Sequence, residues 1–416
     1  MMINLRNLTT RILLSTVIFL SFVSEVGIFQ DIKQFIGFSL LAASIFFIIF
    51  TYPIKNFMNF VNATNLLVVL FIFSLILVFS IFSNYLSDNL SNSFVPFFYF
   101  ISSIVSLFLF IILLARNKDF LIFIFLFLLI SSTFALFSVI GNFVSLDSIS
   151  YKPIYDIGFI KCNGSFFIDP LSAGITFATA MIFAFYLLNY KMLIPQNNSI
   201  LYLLFIINLV GLVISMSRSA LFGIFMVILV YYFSCFITKL SQHRFTIIKS
   251  NVILLLILLV VISLFFYSNL LEILSDYFRL DKGLSNRDLR WGIVPDLLFN
   301  NELKSLLFGY GSNANKVLIS DLVHLPNNNF SGFHNLYLDI IVQYGFLSLF
   351  LYVILFLFAF VSLISKKTIF GMLIFNLLIF YLSVNIFLSY NIGGLRPLSF
   401  ISILPIAYFC VKKKIF

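Results

Sequence analysis

Charge is scarce in this chain. Asp, Glu, Lys and Arg make up 10% of its residues, where a soluble domain carries about 25% to cover its surface. With 62% apolar residues and a mean hydropathy of +1.13, most of the surface has only lipid to face, which excludes an ordinary water-soluble globule. Cysteine is scarce too. Cys162, Cys235 and Cys410 stand far apart with no CxxC spacing, which argues against a disulfide framework and a thiolate zinc site. The three histidines, His243, His324 and His334, have no HExxH or DxD-type cluster around them. A metal site made wholly of protein ligands therefore has little to draw on, and no cofactor is implied. The net charge of +10 does not point to nucleic acid, because the excess lies in short loops between apolar runs rather than in a patch.

Long apolar runs are what the chain has. A hydrocarbon core of about 30 Å needs around 20 apolar residues per helix. Runs of that kind predict spans at 12–29, 36–52, 65–83, 96–115, 120–140, 170–189, 200–215, 219–238, 251–267, 346–364, 369–389 and 398–411. The 58 Phe are spread through all of them and read as lipid-facing and packing residues. Arg6 and Arg11 precede the first run, but no small-residue cleavage site follows it, so it reads as a membrane helix rather than a signal peptide.

Lys and Arg sort the loops. With the N-terminus inside, the inner set is Arg6, Arg11, Lys55, Arg116, Lys118, Lys191, Lys239, Arg244, Lys249, Lys366, Lys367, Lys412, Lys413 and Lys414, against a single acid, Asp119. The outer side holds the other eleven basic and fourteen acidic residues. This positive-inside pattern puts both termini in the cytoplasm and requires an even number of crossings. The expectation is a single all-α integral membrane domain over 1–416 with about twelve transmembrane helices. Two longer outer segments interrupt it, 141–169 and the large loop 268–333. Within the large loop, RDLRWGIVPDLLF reads as a short amphipathic helix and FGYGSNANK as a tight glycine turn.

Chemistry-bearing residues are few and fall mostly on the outer side. Arg218, in SMSRSALFGIF, is the only charge between Ile200 and Thr238. A guanidinium in so tight a hairpin either snorkels to water or meets an anion, with Ser217 and Ser219 as extra donors. Arg287 and Arg290 share one face of the loop helix at i and i+3, with Ser285 or Asn286 as its N-cap. A pair of arginine forks suits phosphate, although a solvated face paired with nearby acids would look the same. His334 and Asn335 lie where the large loop re-enters the membrane, ahead of a run expected to stay helical into the next span. A neutral imidazole there can accept a proton from a sugar hydroxyl, whereas His324 reads as an ordinary loop histidine. Three arginines and a histidine on one side match an amphiphile with its anion at headgroup level, its tail in the bilayer and its sugars outside.

The order of these elements resembles the O-antigen polymerase and O-antigen ligase superfamily. The matching elements are NGSFFIDP entering span six, SR in a tight hairpin, R-x-x-x-W from Arg287 to Trp291, FGYGSN, and HN-x-Y-L followed by QYGFLSL. They cover about residues 160–400; the N-terminal third matches only in hydropathy. The resemblance implies a membrane glycosyltransferase of the GT-C type in a bacterial inner membrane. Its partners would be membrane lipid and an undecaprenyl-diphosphate-linked oligosaccharide, with room for a chain-length regulator, and its site would face the periplasm. It implies that Arg218 holds the pyrophosphate, that Arg287 binds substrate with Arg290 as a neighbour, and that His334 activates the acceptor, with Asn335 beside it as a further substrate contact. Arg396, in GGLRPLSF, stands where the family often has another arginine, and Lys161 is a weaker match.

Transfer would invert the anomeric centre in one displacement without a metal, since guanidiniums can stabilise the leaving diphosphate and no paired-carboxylate site suggests a retaining mechanism. Ligases of this superfamily tend to carry a second histidine before the HN pair. Here Gly332 and Phe333 precede His334, which favours polymerase over ligase. A lipid-linked sugar flippase is the remaining alternative, but it would place charges inside the bundle and keep its loops short.

Overall fold

The structure is a computed structural model that describes residues 2–24, 33–51, 57, 59–87, 94–144, 156–157, 160–161, 170–190, 198–215, 217–241, 287–299, 303–314, 333–365, 368–387 and 397–412. In chain order its helices are α1 (Met2–Val23), α2 (Lys33–Thr51), α3 (Ala63–Leu86), α4 (Phe94–Ala115), α5 (Asn117–Val144), α6 (Pro170–Tyr190), α7 (Asn198–Ser215) and α8 (Arg218–Ser241). Then follow α9 (Arg287–Phe299), α10 (Leu303–Phe308), α11 (Leu336–Ser365), α12 (Ile369–Val384) and α13 (Pro397–Cys410). A two-residue antiparallel hairpin pairs Asp156 with Lys161 and Ile157 with Ile160, a small departure from the all-α expectation within the segment 141–169. Eleven of the twelve expected spans overlap described helices, though 12–29 and 369–389 extend past the helices found; the ninth, 251–267, lies outside the described residues.

Six of these helices are long and apolar enough to cross a membrane, and five shorter ones are apolar as well. These are the proportions of a polytopic membrane protein. Their sequences suit the role because a helix satisfies every backbone group within itself, as lipid requires. The hydroxyls are also satisfied locally. Ser44, Ser80, Ser132 and Thr176 each donate to the carbonyl four residues back at 2.7–2.8 Å. Burial sorts the helices. Along Leu171–Leu188 of α6 only Phe185 is exposed, so α6 is the central helix. On α3, Val69, Phe73 and Ile76 face inward while Leu67, Phe71 and Val78 are more than half exposed.

Since lipid is as apolar as leucine, polar ties and close packing must specify which helices associate. Asn208 of α7 donates to Ser132 at 2.6 Å and accepts from Ser131 at 2.7 Å, joining α7 to α5. Asn376 of α12 donates to the Tyr186 hydroxyl of α6. Such ties contribute about 1 kcal/mol each in a membrane. Asn208→Leu should therefore lower the thermal midpoint of the purified protein by a few degrees. An unchanged midpoint would show the tie to be neutral.

Contacts among the described residues define two ends of the bundle. At one end the Lys412 N–H donates to Phe60 O (2.9 Å), the Asn65 side chain donates to Phe409 O (2.8 Å), and Thr368 shares a hydrogen bond with Tyr408 (2.8 Å). The Phe120 and Phe370 rings meet there at 5.4 Å, next to the Arg116–Asp119 ion pair at 2.9 Å. At the other end lie the start of α8, the end of α12, the start of α11, and α9 and α10.

Candidate functional site

A break in α11 organises this second end. The expectation of a continuous helix from Asn335 into the span is corrected here: Gly345 has φ 78° and ψ 175°, and helix resumes only beyond it. The break leaves carbonyls without a helical partner, and the glycine turn supplies one. Tyr310 N–H donates to Val342 O and Gly311 N–H to Gln343 O, each at 2.9 Å, while Asn313 N–H donates to Gln343 Oε1 at 3.0 Å. The turn folds as expected from FGYGSN, with Gly309 at φ 76° and Gly311 at φ 92°.

The end of α3 completes the joint. Ser83 donates to Gln343 O at 2.7 Å and accepts from Gly311 N–H at 2.9 Å; Asn84 Oδ1 accepts from Ser312 N–H at 2.6 Å. The amides of residues 310–313 are thus all taken by protein acceptors. The turn is a structural clasp, not an anion cradle.

The clasp fixes the loop helices. The expected amphipathic helix is α9, which buries Val294, Leu297 and Leu298 in a small core with Phe333 and Val342. Tyr310 OH donates to Leu297 O at 2.5 Å, and Trp291 Nε1 donates to Phe333 O at 3.0 Å. Those bonds lead to His334. It is half-buried and lies in the left-handed region at φ 52°, uncommon for a residue with a side chain. Asn335 follows as the N-cap of α11, its Oδ1 accepting from Tyr337 N–H at 3.0 Å and Leu338 N–H at 3.1 Å. Its position is therefore explained by capping, independent of any substrate role. Below the pair runs an almost wholly apolar groove of about 290 Å³, lined among others by Leu336, Tyr337, Ile340, Val353, Phe356 and Leu382.

Arg218 opens α8, two residues after α7 ends at Ser215, in the tight hairpin expected from SMSR. It is half-buried between the buried Ser217 and Ser219, whose hydroxyls lie 3.3 Å apart. The hairpin sits hard against α6: a Cβ on Gly174 would fall 2.2 Å from Ser217 Cβ. Contacts then run from this hairpin toward His334. A Cβ on Gly223 would meet Phe380 and Val384 of α12 at 2.7 Å, so α8 begins where α12 ends. Asn385, just past α12, accepts from Leu336 N–H at 3.0 Å. Phe387 packs on Phe222 of α8 at 5.3 Å and on Trp291 of α9 at 6.4 Å. The structure thus brings Arg218 and His334 to one end of the bundle, joined through Phe387 and Trp291.

Residues 203–353 match the family model described as O-antigen ligase. That stretch, rather more than a third of the chain, is similar to the O-antigen ligase family. The matched stretch runs from α7 across the helix break into α11 and contains Arg218, Arg287, Arg290, His334 and Asn335. No curated protein and no solved structure matches the chain.

Arg287 and Arg290 occupy the first turn of α9, next to Trp291. Arg396, His243 and His324 lie outside the described residues, and Lys161 is described only as backbone of β2, paired with Asp156. Among the described residues no three His, Cys, Asp or Glu converge as a metal site would require. The sequence reading missed Asp339, buried at 2% exposure one turn into α11, whose Oδ1 accepts from Phe333 N–H at 3.2 Å. An acid inside an apolar run was the available signal.

Proposed function

We propose that this membrane protein is a polysaccharide polymerase. It transfers the growing glycan from its undecaprenyl-diphosphate carrier onto the next lipid-linked repeat unit, at the outer face of a bacterial inner membrane. The supporting observation is that the Arg218 hairpin and the His334–Asn335 corner lie at one end of the bundle, within the stretch similar to the O-antigen ligase family and above an apolar groove. In this reading the chain crosses the bilayer twelve times with both termini cytoplasmic, and the loop 268–333 belongs to the periplasmic side.

His334 takes the proton of an acceptor hydroxyl as that oxygen attacks the anomeric carbon. The bond to the diphosphate breaks on the opposite face, and its electrons leave with the diphosphate, so the anomeric centre inverts. The Arg218 guanidinium, beside the Ser217 and Ser219 hydroxyls, receives the negative charge as it develops, with Arg287, Arg290 and Arg396 as further anion contacts. The groove beginning at Leu336 and Tyr337 lets the isoprenoid tail remain apolar while the sugars stay in water. Transfer to lipid A-core is the second reading, favoured by the name of the matched family; polymer growth is favoured by the lone histidine of Gly332-Phe333-His334-Asn335.

Arg218→Ala, Arg287→Ala and His334→Ala test this in the polysaccharide-producing strain. Loss of a general base or of an anion contact costs about 10²–10⁴ in rate, so the ladder of surface polysaccharide should collapse to a single repeat unit. Long polymer in all three variants would overturn the site. Polymer that accumulates on its carrier while lipid A stays bare would assign the ligase reaction instead.

A further inference from the structure

His334 is held in an uncommon backbone conformation from both sides. Left-handed φ in a non-glycine residue costs about 1 kcal/mol or more and persists only where the surroundings dictate it. On the C-terminal side, Asn335 caps α11 and Leu336 N–H is bonded to Asn385 O. On the N-terminal side lies Phe333, fully buried, with both backbone groups engaged: its carbonyl accepts from Trp291 Nε1 and its N–H donates to Asp339 Oδ1.

Asp339 is the unusual member of this arrangement. It is a carboxyl group at 2% exposure inside an apolar run, and burying a charge is costly unless it does something there. In the first turn of α11 it meets the helix dipole favourably, a purely structural benefit that any such acid would give. The bond to Phe333 goes further. It ties the first turn of the helix back to Phe333, two residues before the cap Asn335, so that His334 lies between two fixed points.

Resting on the reading of His334 as the base, we infer that Asp339 is a positioning residue for that imidazole. By holding Phe333 N–H while Trp291 holds Phe333 C=O, it sets the dihedral that aims His334 toward the acceptor. Trp291 joins the two halves of the device, since it is also the side chain that packs on Phe387 toward the Arg218 hairpin. The corner is therefore set with respect to the loop helix as well as to its own membrane helix.

The chain has a single tryptophan, so one indole N–H resonance reports the clamp. Asp339→Leu cannot accept the Phe333 N–H, whereas Asp339→Asn can. In protein labelled with ¹⁵N-tryptophan and reconstituted in nanodiscs, Asp339→Leu should shift the indole resonance and speed its solvent exchange about tenfold or more, as a lost hydrogen bond would. In cells, misplacing the base by about 1 Å should lower long-polymer output by about 10²-fold at wild-type membrane abundance. Asp339→Asn should recover most of both readouts. If the role is only charge at a helix N-terminus, Asn and Leu will fail alike, and the assignment is overturned. It is also overturned if Asp339→Leu leaves the indole and the polymer unchanged. Long polymer retained in His334→Ala would instead remove the base itself. Polymer lost there but kept in Asp339→Leu removes only the positioning role.

Discussion

Alanine at Gly345 removes most of the folded protein from the membrane. Two effects combine at this residue. At φ 78° an L side chain is strained by about 1–3 kcal/mol. The added Cβ would also fall 2.1 Å from Leu307 O, 2.3 Å from Leu307 C and 2.4 Å from Phe308 N. These are backbone atoms of α10 and cannot rotate away as a side chain would. To make room, α10 must lift from α11, and the glycine turn lifts with it. That breaks the bonds of Tyr310 and Gly311 to Val342 and Gln343 and leaves those carbonyls unpaired at the helix break. Each buried unpaired group costs about 1–3 kcal/mol, so the total approaches the whole stability of an ordinary domain. Gly37→Ala is the matched control, because it sits in α2 with nothing within 4 Å of the new Cβ. Immunoblots of membranes and thermal midpoints of purified protein should show severe loss for Gly345→Ala and little change for Gly37→Ala. A Gly345→Ala protein as abundant and heat-resistant as wild type would show that the break is not required.

Much of this architecture is legible in the sequence because a bilayer leaves few choices. A run as long and apolar as Leu66–Phe82 reads as a helix in lipid, and it is one. The tight hairpin at Arg218, the loop helix from Arg287 to Phe299 and the turn at Gly309 and Gly311 are equally legible, since short polar breaks, 3.6-residue periodicity and paired glycines are local signals. The helix break at Gly345 is not. An isolated glycine in an apolar run is tolerated in a membrane helix, and only the partner supplied by Tyr310–Asn313 makes a break stable.

The same limit hides Asp339. Its partner Phe333 is near in sequence, but the fixed geometry comes from Trp291, forty-two residues earlier. Asn335, read as a substrate contact from its place beside His334, is accounted for structurally by the cap of α11. What periodicity finds is elements. The site is made of joints between elements, closed by hydrogen bonds and close packing that mostly span long stretches of chain.

The joint at Gly174 gives the second large effect, one on turnover rather than on folding. If the protein is the polymerase proposed above, Gly174→Ala should lower polymer output about 10²-fold, the scale expected when a reacting group moves by about 1 Å. The alanine Cβ would lie 2.2 Å from Ser217 Cβ, whereas ordinary contact begins at 3.4 Å, so the two must separate by about 1.2 Å. α6 cannot retreat, since Ala173, Ile175 and Phe177 are all buried around that turn. The hairpin at the bundle end can move, and Arg218, directly after Ser217, moves with it. Protein abundance should fall far less than activity, because the hairpin shift leaves the packed lengths of α6 and α8 intact. A second substitution tests the cause. Ser217→Gly removes the atoms 2.2 and 2.8 Å from the new Cβ, and the Ser215 hydroxyl at 2.7 Å can rotate away. The double variant should regain most of the polymer ladder lost in Gly174→Ala. If Gly174→Ala polymerises normally, the position of Arg218 is not what turnover depends on. If the double variant stays inactive while Gly174→Ala is well folded, the fault lies in α6 rather than in the arginine hairpin.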